Sequence, residues 1–288
     1  MIELVTTVNQ ALYQGYGSRL VAGFEEFAAP DVRLIVVFDG PIPPGINAQC
    51  KRTLFVPFES AGLRQFQRFF GHLYEANGLR IKRFAGQDGQ LQLLVRQNFR
   101  FNAVRFSFKI FAIEIAKTLL GPASSFAWID ADVKCLKAFS AKDLEPFMPR
   151  ADELMSFLGR DSFPPESPYS ECGFLGFNRA HPQVDAFLER MRALYVTGEI
   201  FSLQEWHDSW LWDEVRREFE RGGAKFRNIS GAAAATEHPF INCGLGEFFD
   251  HLKGPEAKER GESLDSDYVL RLKSSASPPP RKGHGAAG

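Results

Sequence analysis

The segment FAWIDADVKC, from Phe126 to Cys135, sets two carboxylates, Asp130 and Asp132, one residue apart at the end of an apolar run. Side chains on a strand alternate faces, so residues i and i+2 share one. If the strand continues through Asp132, both carboxylates leave its end on the same side. Two anions so close repel, and burying both without a partner is costly; a cation beside them removes the problem. Oxygen ligands of this kind suit Mg²⁺ or Mn²⁺, commonly together with a phosphate. An exposed strand end or an arginine partner would also relieve the repulsion. The pattern alone is unspecific. D-x-D recurs at Asp265 and Asp267, in a polar stretch with no apolar strand before it, which reads as solvated surface.

The elements around the motif separate the two pairs. IELVTT (2–7) reads as a strand, 16–29 as a helix with Leu20, Phe24 and Phe27 on one face, and VRLIVVF (32–38) as a buried parallel strand before a DG turn. A strand–helix–strand opening predicts an α/β domain with a parallel sheet. Residues 60–77 read as helical. The clearest helix spans 100–120, with Val104, Phe108, Phe111, Ile115 and Leu119 at spacings of three and four, and Gly121-Pro122 ends it. The Asp130–Asp132 strand follows at once. Its carboxylates therefore sit at the carboxyl end of a strand in an open α/β sheet, where such folds place ligands. Segments 153–159 and 172–178 read as strands flanking the Pro/Ser-rich RDSFPPESPYS. Pro182 opens a helix carrying Val184, Phe187, Leu188, Met191 and Leu194, and another spans 209–220. SSASPPPRKGHGAAG is a low-complexity tail.

Composition narrows the function. A chain of 288 residues with formal net charge -1 lacks the basic excess of a general nucleic-acid binder, so no nucleic-acid partner is expected. Its 13% aromatic content indicates a packed interior. Cys50, Cys135, Cys172 and Cys243 are scattered singly, without the C-x-x-C spacing of a zinc site. No signal peptide and no membrane-spanning run is apparent, so the expected setting is a reducing cytoplasm.

Three stretches in order, FAWIDADV, YSECGFLGFN and FFDHLKGPEAK, resemble a metal-dependent glycosyltransferase of the GT-A type. The pattern is nearest to glycosyltransferase family 8 and related retaining enzymes, over nearly all of residues 1–265. The resemblance implies a Rossmann-like, mostly parallel sheet flanked by helices, with an acceptor-binding second half. It implies a single domain over 1–272, divided into a nucleotide-sugar half (1–132) and an acceptor half (133–272), with a flexible tail at 273–288. The implied activity moves a hexose-type sugar, with retention, from a nucleoside-diphosphate sugar to a carbohydrate, lipid-linked or protein acceptor. The implied cofactors are a UDP-sugar and Mn²⁺ or Mg²⁺.

The resemblance also assigns residues. Asp132 would ligate the metal, Asp130 would share it and contact the ribose or donor sugar, and His251 would be the third ligand. The family's His is followed three residues on by Gly, and three later by Lys-Pro-Trp. Here Gly254 is in place, Lys258 comes one position late, and Pro-Trp is absent. Lys253 stands between, so either lysine could reach the phosphate. The Lys-Gly step favours Lys253. Arg105 and Lys109, at i and i+4, would hold the donor or form a solvated face with Arg100. Thr7, Asn9 and Tyr13, at and after the first strand, would meet the base and ribose, or be an ordinary turn Asn and a packing Tyr. Glu171-Cys172-Gly173 stands where the family carries Asn-Ser-Gly. That departure makes Glu171 a candidate nucleophile or stabiliser of an oxocarbenium-like centre. Asp208 is the other catalytic candidate and equally a helix N-cap. Trp206, Trp210 and Trp212 with His207 would stack on an acceptor or fill the core.

Two other enzyme classes fit less well. A haloacid-dehalogenase-type phosphatase would carry Thr or Val where Lys134 stands, and its motif on the first strand. A sugar-phosphate nucleotidyltransferase would carry a glycine-rich loop where the sequence has VTTVNQALYQ. A homologue that binds sugar or nucleotide without turnover also fits the pattern.

Overall fold

The computed structural model describes residues 1–85, 91–120, 125–160 and 169–269. The chain opens with β1 (Ile2–Asn9), helix α1 (Ser18–Phe27), β2 (Val32–Asp39), β3 (Thr53–Pro57) and α2 (Ala61–Phe70). The antiparallel pair β4 (Leu79–Ala85) and β5 (Leu91–Gln97) precedes α3 (Ala103–Leu119), β6 (Phe126–Ile129) and β7 (Val133–Cys135). Then come β8 (Met155–Leu158), β9 (Glu171–Phe177), α4 (Val184–Val196) and α5 (Asp208–Arg221). The chain continues through β10 (Phe226–Asn228), β11 (Phe249–His251) and α6 (Gly254–Arg260).

Seven strands form one sheet in the order β10-β8-β9-β6-β1-β2-β3. It is mostly parallel: β1 pairs in parallel with β2 and β6, β2 with β3, and β8 with β10, while β9 alone runs antiparallel to its neighbours β6 and β8. The chain steps outward from β1 through β2 to β3, then returns to lay β6 on the other side of β1. Such a reversal opens a crevice at the carboxyl ends of the two strands. Here those ends are Asn9 and Ile129.

The central strands are rich in apolar residues because both faces of the sheet are covered. Val5, Ile35, Val37, Phe126 and Trp128 face α2, α3, α4 and α5. Leu4, Val8, Leu34, Val36, Ala127 and Ile129 face α1 and the Phe240–Phe249 region. Period-two alternation thus divides each run between two cores. The three tryptophans after Phe201 belong to the first of these. Trp212 is fully buried between Phe177 and Phe187, and Trp206 packs edge-on against Phe101 and Phe201.

Several expectations change in detail. The strand carrying FAWI stops at Ile129, and Asp130 to Asp132 form a turn closed by Val133 N donating to Asp130 O at 3.2 Å. The two carboxylates therefore converge through a turn rather than by strand alternation. The helix expected over 60–77 ends at Phe70. Ser60 caps it, its Oγ accepting from Leu63 N at 3.1 Å, and Gly71 follows its last residue. Asp208 is the first residue of α5 rather than its cap, which is His207. Gly121-Pro122, most of RDSFPPESPYS and the tail lie outside the described residues.

Replacing Trp212 with Ala removes a side chain packed between two rings. It should lower unfolding free energy by about 3–5 kcal/mol in denaturant titration.

Candidate active site

Three separate pieces of chain bring the site together. β6 delivers Asp130, whose N–H donates to Gly173 O at 3.0 Å and so extends the β6–β9 ladder by one residue. β7 then pairs antiparallel with β11, setting His251 opposite Val133, while Leu252 N donates to Asp132 O at 3.1 Å. This ladder carries a residue 119 positions downstream of Asp132 back to it. His251 Nε2 lies 3.5 Å from Asp130 Oδ2 and 3.4 Å from Asp132 Oδ1. One donor atom from each of the three residues falls within 4.8 Å of the others.

The imidazole is fixed from behind. Its Nδ1 lies 2.9 Å from Glu171 Oε1, so that nitrogen carries the proton and Nε2 faces the aspartates. Glu171 is 3% exposed and fully engaged. Its Oε2 accepts from Phe240 N at 3.3 Å and lies 3.1 Å from Lys253 Nζ and 3.6 Å from Arg160. His238 Nδ1 lies 3.3 Å from Glu171 Oε1, while its Nε2–H donates to His251 O at 2.9 Å. The expectation of Glu171 as a carboxylate open to a donor sugar does not match this geometry, since both oxygens are already held by cationic or N–H groups. The next two residues of β9 serve the site differently. Cys172 O accepts from Lys109 Nζ at 2.8 Å, and Gly173 leaves room for the ring: a Cβ there would meet His251 Cε1 at 2.7 Å.

Lys109 is buried on the inner side. Its Nζ lies 3.0 Å from Asp130 Oδ1 and 2.5 Å from Asp208 Oδ2. Burial alone would depress the ammonium's pKa, but the two carboxylates outweigh it and hold it well above the ordinary lysine value. Burial would likewise raise the Asp130 carboxyl, but Lys109, His251 and the Trp128 indole, which donates to Oδ1 at 2.6 Å, hold it well below the usual range. Asp132 is lowered too: burial acts against ionisation, but His251 and Lys258, whose Nζ is 2.7 Å from Oδ2, prevail. For His251, burial is outweighed by Asp130, Asp132 and Glu171, which raise its pKa.

Two adjoining clefts open onto this cluster. The first, about 350 Å³, is lined by Thr7, Asn9, Tyr16, Asp39, Arg105, Lys109, Asp130, Asp132 and Asp208. The second, about 970 Å³, is lined by Arg105, Asp130, Arg160, Glu171, Asp208, His251, Lys253, Gly254 and Lys258, with an aromatic wall of Phe99, Phe106, Tyr169 and His207. Of the residues singled out from sequence, Tyr13 lines neither: it packs edge-on against Phe38 and Phe55. Thr7 Oγ1 donates to Val37 O at 2.6 Å, and Asn9 Oδ1 accepts from Leu12 N at 2.9 Å, so both also hold local structure. Lys109 is in the cluster rather than on a solvated face.

Sequence reasoning missed four neighbours. Tyr16 lines the first cleft beneath Lys258 Nζ, 5.0 Å from its ring centroid; burial and the Asp132 charge push its phenol up to about 12. Asp39, at the carboxyl end of β2, was hidden by its role in a DG turn signal, although a strand-end Asp beside β1 is where a ligand contact is expected. His238 and Arg160 carry no local signal.

No family model matches the sequence, and no curated protein matches it. Among solved structures the chain is similar to mouse xyloside xylosyltransferase 1, apo form, at 10% identity and TM-score 0.45, over 80% of this chain and 85% of that one. It is similar to the galactosyltransferase LgtC in complex with donor and acceptor sugar analogues, at 12% identity and TM-score 0.48, over 97% and 98% of the two chains. It is also similar to the WbbM bifunctional glycosyltransferase, apo, at 9% identity and TM-score 0.43, over 80% of this chain and 39% of that one. Likenesses this distant carry nothing about substrate or mechanism.

Two outcomes follow from the geometry. Lys109→Met leaves Asp130 and Asp208 without their shared cation and should cost about 3–5 kcal/mol in unfolding free energy. Because Asp130 titrates below its unfolded value, the wild type's advantage should be present above about pH 4 and shrink as pH falls further. Lys109 titrates above its own unfolded value, so its contribution should persist up to about pH 10 and fall as pH rises through the folded value. Gly173→Ala should cost about 1–3 kcal/mol and shift the imidazole NMR signals of His251, because the added methyl group overlaps the ring.

Proposed function

We propose that this chain is a glycosyltransferase of the GT-A type. It would move a hexose-type sugar from a nucleoside-diphosphate sugar, with UDP as the favoured nucleotide, to an acceptor in the larger cleft. The observation that carries the reading is the convergence of Asp130, Asp132 and His251 at the strand-end crevice beside β1. Two carboxylates and one oriented imidazole suit Mn²⁺ or Mg²⁺, and the Glu171 contact to Nδ1 is the supporting partner that metal-binding histidines commonly have. A divalent ion held there would neutralise charge on the departing diphosphate.

The chain's own residues divide the remaining work. Lys258, beside Asp132, and Arg105, shared by both clefts, are placed to meet diphosphate oxygens. Lys253 is engaged with Glu171 and with Glu237 O, so Lys258 is the better placed of the two lysines. Asn9, Tyr16 and Asp39 line the crevice where base and ribose would lie. Asp208, on the floor shared by the two clefts, is the carboxylate nearest a transferring sugar, and the Lys109 ion pair orients it. Phe99, Phe106 and Tyr169 offer ring faces to an acceptor sugar, whereas Trp206, Trp210 and Trp212 do not line the larger cleft. Retention remains part of the proposal on the family resemblance.

Both candidate carboxylates are ion-paired, which also favours a second reading, a protein that binds a nucleotide sugar without turning it over. One assay separates them. Incubation with Mn²⁺ and a panel of UDP-sugars should give slow UDP release without acceptor. That release should be abolished by EDTA and by Asp132→Asn, with the melting curve of the variant retained. Saturable binding with no UDP release would establish the binding-only reading. Release of inorganic phosphate from sugar phosphates would establish a phosphatase instead.

A further inference from the structure

Charge and exposed apolar surface are unevenly distributed in this chain. Its formal net charge is -1, yet the stretch from Arg64 to Arg100 holds seven lysines and arginines against two acidic residues. Of the eleven large apolar side chains exposed among the described residues, seven fall between Phe69 and Phe99, so the most basic stretch is also the most apolar part of the surface. Among the described residues, Arg64, Arg68, Lys82 and Arg96 form no ion pair with a carboxylate.

The β4–β5 ribbon sorts these groups by face. Arg80 lies directly opposite Arg96 and Lys82 opposite Leu94, while Ile81 lies opposite Val95 on the other face. Like charges directly opposed weaken an antiparallel pair, and a two-stranded ribbon outside the main sheet is marginal alone. Ile81 is 43% exposed and Val95 56%, so no core covers their face. Leu79 N donates to Tyr74 O at 2.9 Å and Asn98 N to Gly78 O at 2.8 Å, which joins the ribbon's base to the segment bearing Tyr74. Phe99, two residues beyond Gln97 at that same base, lines the larger cleft.

We propose that this ribbon and the adjoining Phe69–Tyr74 segment dock the chain on an anionic lipid bilayer. Headgroup phosphates would receive Arg80, Lys82 and Arg96, separating charges that otherwise face one another. Ile81, Val95 and Phe69 would enter the boundary between headgroups and acyl chains, with Tyr74 at the headgroup level. A symmetric pairing of two copies would press the same basic groups together. A nucleic acid would satisfy the arginines but leave the Ile81–Val95 face in water. An anionic bilayer that the ribbon enters edge-on meets both faces at once, headgroup phosphates against one and the acyl boundary against the other. Because Phe99 borders the cleft, docking brings its mouth close to the bilayer.

Vesicle co-sedimentation of the full chain tests this, using phosphatidylcholine vesicles with and without phosphatidylglycerol. The chain should bind the anionic vesicles, leave the neutral ones largely unbound, and be released by high salt. R80E/K82E/R96E should reduce partitioning on the order of 100-fold, and I81S/V95S by about tenfold. Arg64→Glu with Arg68→Glu on α2 gives an independent charge variant should the ribbon variants not fold, and it should also weaken binding. Failure of the wild type to bind anionic vesicles at low salt would overturn the proposal. So would binding indifferent to every charge variant, or a dimer in sedimentation velocity that I81S/V95S dissolves while vesicle binding is unchanged.

Discussion

Four carboxylates, Asp130, Asp132, Glu171 and Asp208, are drawn away from water around one strand end, and the rest of the site answers to that. Mutual repulsion would unfold such a cluster or leave it protonated. The repulsion is relieved because each carboxylate has a cation within 3.1 Å: Lys109 for Asp130 and Asp208, Lys258 for Asp132, and Lys253 for Glu171. Attraction in a low-dielectric interior offsets desolvation only where geometry is good and remaining lone pairs are occupied. The Trp128 indole and the Phe240 N–H meet that second requirement for Asp130 and Glu171. The resulting arrangement is close to charge-balanced, so it can be held rigidly while still facing a cleft.

The start of β9 shows how three consecutive residues can serve one site by unrelated means. Glu171 acts through its side chain, fixing the imidazole; Cys172 acts through its carbonyl, holding the buried ammonium; Gly173 acts through the absence of a side chain. The antiparallel direction of β9 makes this possible, because it brings the strand's first residues beside the last residues of β6. The departure of Glu171 from the Asn of the resembled family is thereby given a physical role. A carboxylate behind the histidine orients it, and Lys253 with the imidazoles of His238 and His251 holds the Glu171 carboxyl well below its usual range against the effect of burial.

Much of the scaffold was legible because its signals are local. The alternation of buried strands, the three-and-four spacing in α3 and α4, and the glycines and prolines between elements all report on nearest neighbours in the chain. Asp130 and Asp132 were found because an apolar strand leads straight into them. What was illegible depends on distance in sequence. Tyr13 and Tyr16 both follow β1, and only the short helical turn and π-helical segment after Asn9 decide that Tyr13 packs on Phe38 while Tyr16 faces the cleft. Short β7, β10 and β11 have too few residues to show a period. The orientation of Glu171 depended on the side chains of residues 238, 251 and 253, which no spacing around position 171 encodes.

The position of His251 ties the site to the core in a way that its polar partners cannot. β7 and β11 are three residues each, and an isolated pair that short is not stable in water. The pair persists because its flanks are anchored in the apolar layer beneath α1. Cys135 sits so close to Gly23 that a Cβ there would approach to 3.1 Å, and Phe139 packs edge-on against Phe249 with ring centroids 4.9 Å apart. Val133, Cys135 and Phe249 are each almost fully buried. The separation of His251 from Asp132 is therefore set by hydrophobic packing on the sheet face opposite α3, and the charged network inherits a geometry that it does not itself create.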